Sequence, residues 1–155
     1  MIHHCTVYRK DTGEIVQYSN FMCGEDIEQV SRNFFGRLLF FGPDTHDYIE
    51  LRSDPQTDYV AVMGEQVVIA PRPELIVFVE DDKLEIQAGG EDSTTLTGLP
   101  DPCQIIVDDP DPAVETQTYE VTGGGFIFAA DDPGVYTIEV RRWPFLPWKV
   151  EITAL

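Results

Sequence analysis

Glycine and proline divide the last third of the chain into short runs. This region contains Leu99-Pro100-Asp101-Pro102-Cys103, Gly123-Gly124-Gly125-Phe126, Pro133-Gly134-Val135-Tyr136 and Trp143-Pro144-Phe145-Leu146-Pro147-Trp148. Between these breaks, the chain is rich in Val, Ile, Tyr, Phe and Thr, which favour strands. Turn signals at this spacing predict a sandwich of short strands and no helix.

The whole region from 74 to 155 is predicted to be one domain of this kind. Its expected strands are 75–79, 84–88, 94–97, 103–107, 118–121, 125–128, 135–140 and 148–153. The first two are expected to form a hairpin around the acidic turn 80–83. Tyr136, Ile138 and Val140 should share one face of their strand, with Thr137 and Glu139 on the other. This strand content is typical of an immunoglobulin-like β-sandwich.

Residues 1–73 are predicted to form a smaller β module. Lys10-Asp11-Thr12-Gly13 separates two β-prone runs, 2–9 and 14–19, which indicates a hairpin. A strand at 48–51 and a second hairpin, 59–62 with 67–70, are expected to follow. Pro71-Arg72-Pro73 should end this pairing, because proline has no amide hydrogen to donate to a β-ladder. We therefore place the domain boundary after residue 73.

One short helix is predicted in this first module, over 24–35. Ile27, Val30 and Phe34 recur at intervals of three and four residues, and acidic side chains occupy the first turn. The apolar run 38–41 is compatible with either a buried strand or the end of this helix.

The charge of the chain is strongly negative. Its 28 acidic residues face 10 basic ones, a net charge of −18. Residues 74–155 alone carry 17 acidic and 4 basic residues, or −13. This balance argues against nucleic acid or an anionic membrane as a partner.

The cysteines and the N-terminus point to a protein made in the cytoplasm of its cell of origin. Cys5, Cys23 and Cys103 lack the close spacing of zinc or redox sites and are expected to be buried apolar residues. Neither a signal peptide nor an apolar span long enough for membrane insertion is indicated.

Several short motifs together resemble small tail-region virion proteins of tailed bacteriophages. They are Tyr8, Thr12-Gly13-Glu14-Ile15, Arg72-Pro73, Leu99-Pro100-Asp101-Pro102-Cys103, the run 132–138 (Asp-Pro-Gly-Val-Tyr-Thr-Ile) and Trp143-Pro144. The resemblance extends over most of the chain but not over 20–45. It implies a first part that attaches near the tail tip or tail fibres and an immunoglobulin-like domain that the particle displays. The resemblance supplies no catalytic residue and no cofactor.

Two aromatic groups are the candidate binding residues for other proteins. Aromatic side chains concentrate at protein interfaces and supply much of their binding energy. The candidates are Phe34, Phe35, Phe40 and Phe41 in the first module and Trp143, Phe145 and Trp148 in the second. For Trp143 and Trp148 the alternative is that they close one end of the sandwich.

Polar motifs give weaker indications of chemistry. His3 and Cys5 share a strand face but need further ligands to hold a metal. His46 lies beside Asp44 and Asp47, although no nucleophile motif accompanies it. The acidic groups at 81–82, 108–111 and 131–132 fall at predicted turns, where Asp is common, and calcium binding is an alternative. Gly123-Gly124-Gly125 is expected to be a hairpin loop.

We therefore expect a non-enzymatic structural component of a phage tail, without cofactor or metal. It would be located in the virion and contact other tail proteins, in multiple copies within a symmetric assembly. A host-surface glycan-binding module is one alternative, with Trp143, Trp148 or Tyr136 stacking on sugars. An assembly chaperone for tail fibres is another, and a hydrolase ranks last because no catalytic set can be named.

Overall fold

The computed structural model describes residues 2–22 and 44–155 and is mainly β. The chain divides into two compact units, Met1–Arg72 (unit 1) and Pro73–Leu155 (unit 2). This division lies one residue before the boundary expected from the Pro71-Arg72-Pro73 sequence. The predicted helix at 24–35, the run 38–41 and Cys23 lie outside the described residues.

Unit 1 consists of a three-stranded sheet and a separate hairpin within its described residues. Its strands are Ile2–Arg9 (β1), Ile15–Met22 (β2), His46–Ile49 (β3), Asp58–Met63 (β4) and Gln66–Pro71 (β5). The sheet has the order β2-β1-β3 and is antiparallel, and β4 pairs with β5. Both hairpins predicted from the turn sequences are confirmed, and β5 ends at Pro71 as expected.

Gly13 joins the first hairpin of unit 1 to strand β4. Its φ is +72°, and a Cβ built at this position would lie 1.9 Å from the carbonyl oxygen of Val60. The amide of Val60 donates a 2.9 Å hydrogen bond to the carbonyl of Gly13. Tyr8, Ile15 and Val60 then form a small buried cluster. Glycine is required here because both the left-handed backbone and the close approach exclude a side chain.

Unit 2 contains two sheets that contribute to one core. Its strands are Phe78–Val79 (β6), Glu85–Ile86 (β7), Thr94–Thr97 (β8), Cys103–Asp108 (β9), Gln117–Val121 (β10), Gly125–Phe128 (β11), Gly134–Arg141 (β12) and Trp148–Ala154 (β13). One sheet has the order β10-β9-β12-β13-β7, and the other has the order β11-β8-β6.

Side chains from both sheets of unit 2 meet in this core. The buried residues are Ile86, Leu96, Leu99, Cys103, Ile105, Val107, Phe128, Ala130, Tyr136, Ile138, Val140, Ile152 and Ala154. The predicted face of β12 is confirmed, since Tyr136, Ile138 and Val140 are all buried. Glu139 lies on the opposite face and is also buried, because two basic side chains hold it there.

The predicted hairpin of 75–79 with 84–88 is wrong. Strand β6 pairs with β8, whereas β7 pairs in parallel with β13, so these two segments belong to different sheets. A short 3₁₀ turn, Glu80–Asp82, lies between them, and Asp81 and Asp82 have φ of 55° and 51°. The amides of Thr153 and Leu155 donate to the carbonyls of Leu84 and Ile86. The pairing with β13 thus draws β7 away from β6.

The loop at Gly123-Gly124-Gly125 is likewise not a hairpin loop. It connects β10 to β11, which lie in different sheets. Gly123 and Gly124 have φ of +87° and +76°, and the carbonyl of Gly124 accepts a hydrogen bond from the amide of Leu99. The glycines allow the chain to pass from one sheet to the other.

Candidate protein-interaction surfaces

The aromatic segment Trp143–Trp148 packs against other parts of unit 2. Trp143, Phe145 and Trp148 are each partly buried. Trp148 begins β13, lies opposite Val140 and packs against the core, and the amide of Leu146 donates a 2.8 Å hydrogen bond to the carbonyl of Pro73. These contacts fix the position of the segment.

The two tryptophans line two different clefts. Trp148 lines a shallow cleft of about 260 Å³ with Glu74 and Leu75. Trp143 lines a different cleft of about 270 Å³ with Pro102 and Arg142. The partial burial of both side chains is compatible with the closing role that the sequence offered as an alternative. The interface role of Trp143, Phe145 and Trp148 stays a prediction.

The four phenylalanines expected to form an interface in unit 1 are not part of the described chain. Phe34, Phe35, Phe40 and Phe41 all fall within residues 23–43. Their role stays a prediction.

A groove that the sequence analysis did not predict lies in unit 2, beside the edge strands β10 and β11. Its volume is about 300 Å³. Tyr119 on β10 contacts Phe126 on β11, with ring centroids 5.7 Å apart. We call this feature the β10–β11 groove. The sequence offered only two signals for it, the acidic clusters at 108–111 and 131–132.

Four carboxylates are among the side chains of the β10–β11 groove. Asp109, Glu115, Asp131 and Asp132 line it, together with the buried Tyr136. Burial raises the pKa of Tyr136, and the negative charges of Asp109, Asp132 and Asp131 raise that pKa further. The hydroxyl of Tyr136 donates a 2.9 Å hydrogen bond to the carbonyl of Asp132, so it remains a neutral donor at physiological pH.

Most of the basic side chains of unit 2 are committed to other carboxylates. Lys83 pairs with Asp92 and also donates a 2.9 Å hydrogen bond to the carbonyl of Ser93. Arg141 and Lys149 both pair with Glu139. Burial alone raises the pKa of Glu139, but the hydrogen bonds from these two side chains outweigh it and the pKa is lowered.

The described cysteines are buried, as predicted. Burial raises the pKa of the Cys5 thiol to about 12, and the nearby charge of Glu50 adds to the effect. Burial also raises the pKa of Cys103. Because the thiolate is the reactive form, both thiols are poor nucleophiles at neutral pH.

The two histidine side chains in the described ranges both have hydrogen-bond partners. Nδ1 of His4 is 2.6 Å from the hydroxyl of Tyr18, and Nδ1 of His46 is 2.8 Å from Oγ1 of Thr45. The side chain of His3 lies outside the described part. Among residues 2–22 and 44–155, no group of three or more His, Cys, Asp or Glu side chains is placed to hold a metal ion. The calcium alternative therefore gains no support from the described aspartates.

Tyr136 does not fit the glycan-binding alternative. Its side chain is buried, its ring contacts Phe128 at a centroid distance of 5.2 Å, and its hydroxyl is bonded to Asp132. A sugar cannot stack on a ring that the core covers, so this part of the prediction is wrong.

Exposed apolar side chains occur on both units. In unit 1, Val62 and Met63 at the tip of the β4–β5 hairpin are 73% and 67% exposed. In unit 2, Phe78 on β6 and Ile127 on β11 lie on the outer face of the three-stranded sheet. Exposed apolar positions of this kind favour contact with other proteins when they are grouped.

Two comparisons of this sequence with known proteins found no match. No protein-family model matches the chain, and no curated protein shows a significant match to its sequence.

No helix within the described ranges has the length and apolar character required to span a bilayer.

Proposed function

We propose that unit 2 is an immunoglobulin-like domain. In constant-type domains, the first, second, fourth and fifth strands lie in one sheet, and the third, sixth and seventh lie in the other. The grouping of β6, β8 and β11 against β9, β12 and β13 supports this assignment. Strand β10, paired to β9, takes the place of the additional strand found in variable-type domains.

The observation that carries this assignment is the hydrogen bond between Tyr136 and Asp132. A tyrosine near the start of the sixth strand, bonded to backbone a few residues upstream, is a hallmark of immunoglobulin-like domains. Tyr136 is the third residue of β12, and it bonds to the residue four positions before it. The same residues belong to the 132–138 run that resembles phage virion proteins.

On this basis, we propose that the protein is a non-enzymatic structural component of a bacteriophage tail, in the tail-tip or fibre region. Unit 1 attaches it to other tail proteins in a symmetric assembly, and unit 2 is displayed by the particle. The sequence resemblance supports the tail assignment. The exposed Val62 and Met63 at the tip of the β4–β5 hairpin support an attachment role for unit 1.

A structural rather than catalytic role is supported by the chemistry of the described nucleophiles. The thiols of Cys5 and Cys103 are buried and held protonated. The hydroxyl of the buried Tyr136 donates a hydrogen bond to the backbone and thereby fixes a turn of unit 2. The two thiols and the tyrosine hydroxyl therefore contribute to the folded structure.

The proposal is tested by quantitative mass spectrometry of purified particles of the phage that encodes the chain. We expect the protein to be present in a fixed ratio to the major tail proteins, at a multiple set by the tail symmetry. Its absence from particles that require it for assembly would identify a chaperone instead. Its absence together with normal assembly and infection would exclude both roles.

A further inference from the structure

The β10–β11 groove presents the open edge of a sheet. Strand β11 is the edge of the β11-β8-β6 sheet, and it pairs only with β8 among the described strands. Consecutive residues from Phe126 to Asp132 line the groove, and the first three of them belong to β11. An unpaired strand edge is a template for hydrogen bonding to another extended chain.

Apolar side chains flank this edge. Tyr119 and Val114, on the opposite wall, are 40% and 44% exposed, and both line the groove. Ile127 lies opposite Thr95 on the outer face of the sheet and is 69% exposed. An added strand would alternate its side chains between these two surfaces, because successive side chains point to opposite faces.

The negative charge of the groove favours a positively charged occupant. Asp109, Glu115, Asp131 and Asp132 line it, and none of the described residues that line it is Lys, Arg or His. A second copy of this chain would bring a further net charge of −18 and would be repelled. A basic segment would neutralise these carboxylates, and opposite charges speed association.

We propose that the β10–β11 groove binds an extended, basic segment of a partner protein, which adds to the sheet as a strand beside β11. The open edge of β11, Gly125–Phe128, is about 13 Å long at ~3.3 Å per residue, so it accommodates roughly four to six residues. The segment carries alternating basic and apolar side chains. This inference goes beyond the proposed function, because it gives unit 2 a partner of its own and names the chemistry of that partner.

The test uses the full chain and a synthetic peptide, acetyl-(Lys-Val)₄-amide. Binding is followed by isothermal titration at low and at physiological salt. Two control peptides accompany it, one with Glu in place of every Lys and one with N-methyl groups on alternate backbone amides along one edge. The methylated peptide keeps all four positive charges but cannot form a continuous ladder.

We expect the Lys peptide to bind and the Glu peptide not to bind. The methylated peptide should bind at least tenfold more weakly, since about 1.4 kcal/mol, the size of one or two lost hydrogen bonds, is a factor of ten. Amide exchange followed by NMR should slow at alternate amides within Gly125–Phe128. Equal binding of the methylated peptide would mean adsorption by charge alone and would overturn the proposal.

Matched variants locate the site. Glu115→Gln with Asp132→Asn removes two charges from the groove, and Glu85→Gln with Glu151→Gln removes two from exposed positions outside it. The first pair should weaken binding by about fivefold, as expected for two exposed ion pairs, and the second by less than about twofold. Equal effects of the two pairs on peptide binding would overturn the assignment to the groove. A dimer that forms without peptide and that Ile127→Lys disrupts would also overturn it, because a second copy would then occupy the edge of β11.

This experiment and the particle analysis can fail separately. Peptide binding by a protein that is absent from virions would leave the groove assignment intact and remove the tail function. A protein that is present in virions but binds no basic strand would keep the tail function and remove the groove assignment.

Discussion

The hydroxyl of Tyr136 donates a 2.9 Å hydrogen bond to the carbonyl oxygen of Asp132, and this contact closes the turn that leads into the central strand β12. The donor is buried and its ring packs on Phe128. Strand β12 in turn pairs with both β9 and β13. The turn therefore fixes the entry of a strand on which the five-stranded sheet depends.

Replacing Tyr136 with Phe should destabilise unit 2 by about 1 kcal/mol, because it leaves the carbonyl of Asp132 without this donor while keeping the ring. Denaturant unfolding followed by tryptophan fluorescence measures the change, since both tryptophans lie in unit 2. Tyr119→Phe is the matched control, since its hydroxyl bonds only to the exposed Gln117 and should matter little. Equal effects of the two substitutions would contradict the structural role of the Tyr136 turn.

Replacing Gly13 with Ala should destabilise unit 1 by about 2 kcal/mol or more. The added methyl group meets the carbonyl of Val60, and the left-handed backbone adds a further ~1 kcal/mol. Circular dichroism with thermal unfolding measures this effect. Gly64→Ala is the control, because Gly64 has a similar φ of +66° with no atom within 4 Å of the added carbon. The join between the first hairpin and β4 would be wrong if both substitutions cost the same.

Protonation of Glu139 should make unit 2 less stable in acid. The pKa of this side chain is lowered in the folded protein, so its stabilising effect is complete above the ordinary glutamate value of 4.5 and is lost as the pH falls through the folded pKa. Glu139→Gln should cost about 1 kcal/mol at pH 7 and flatten the dependence of stability on pH below 4.5. Glu151→Gln, on an exposed position of β13, should leave that dependence unchanged.

The buried thiols should resist alkylation in the folded protein. In a Cys23→Ser background, iodoacetamide at pH 8 should modify Cys5 and Cys103 only after denaturant is added, because both are buried and protonated. Mass spectrometry of the intact protein counts the modified sites. Modification of either thiol in the native protein at the rate of a free cysteine would contradict the burial described here.

The sequence predicted the local parts of this fold correctly. The hairpin of β1 with β2 was readable because Thr12-Gly13 forces a turn between adjacent strands, and the same holds for β4 and β5 around Gly64. The buried face of β12 followed from strict alternation. In each case, the deciding interaction lies within a few residues along the chain.

Sheet membership could not be predicted in the same way. Strands β6 and β7 are neighbours in sequence, yet β7 pairs with β13 near the other end of unit 2, a contact that no turn signal encodes. The β10–β11 groove was missed for the same reason, because consecutive strands were expected to pair. Its carboxylates were visible as two acidic clusters, but only the fold brings Asp109 and Asp132 to the same groove.

The most direct test of the central claim is a cryo-electron microscopy map of the intact phage tail. We expect density for both units at the tail tip or fibre attachment region, in a number of copies set by the tail symmetry, with unit 1 contacting neighbouring tail proteins and unit 2 displayed. A complete assignment of the tail density to other chains, with none left for these strands, would contradict this expectation.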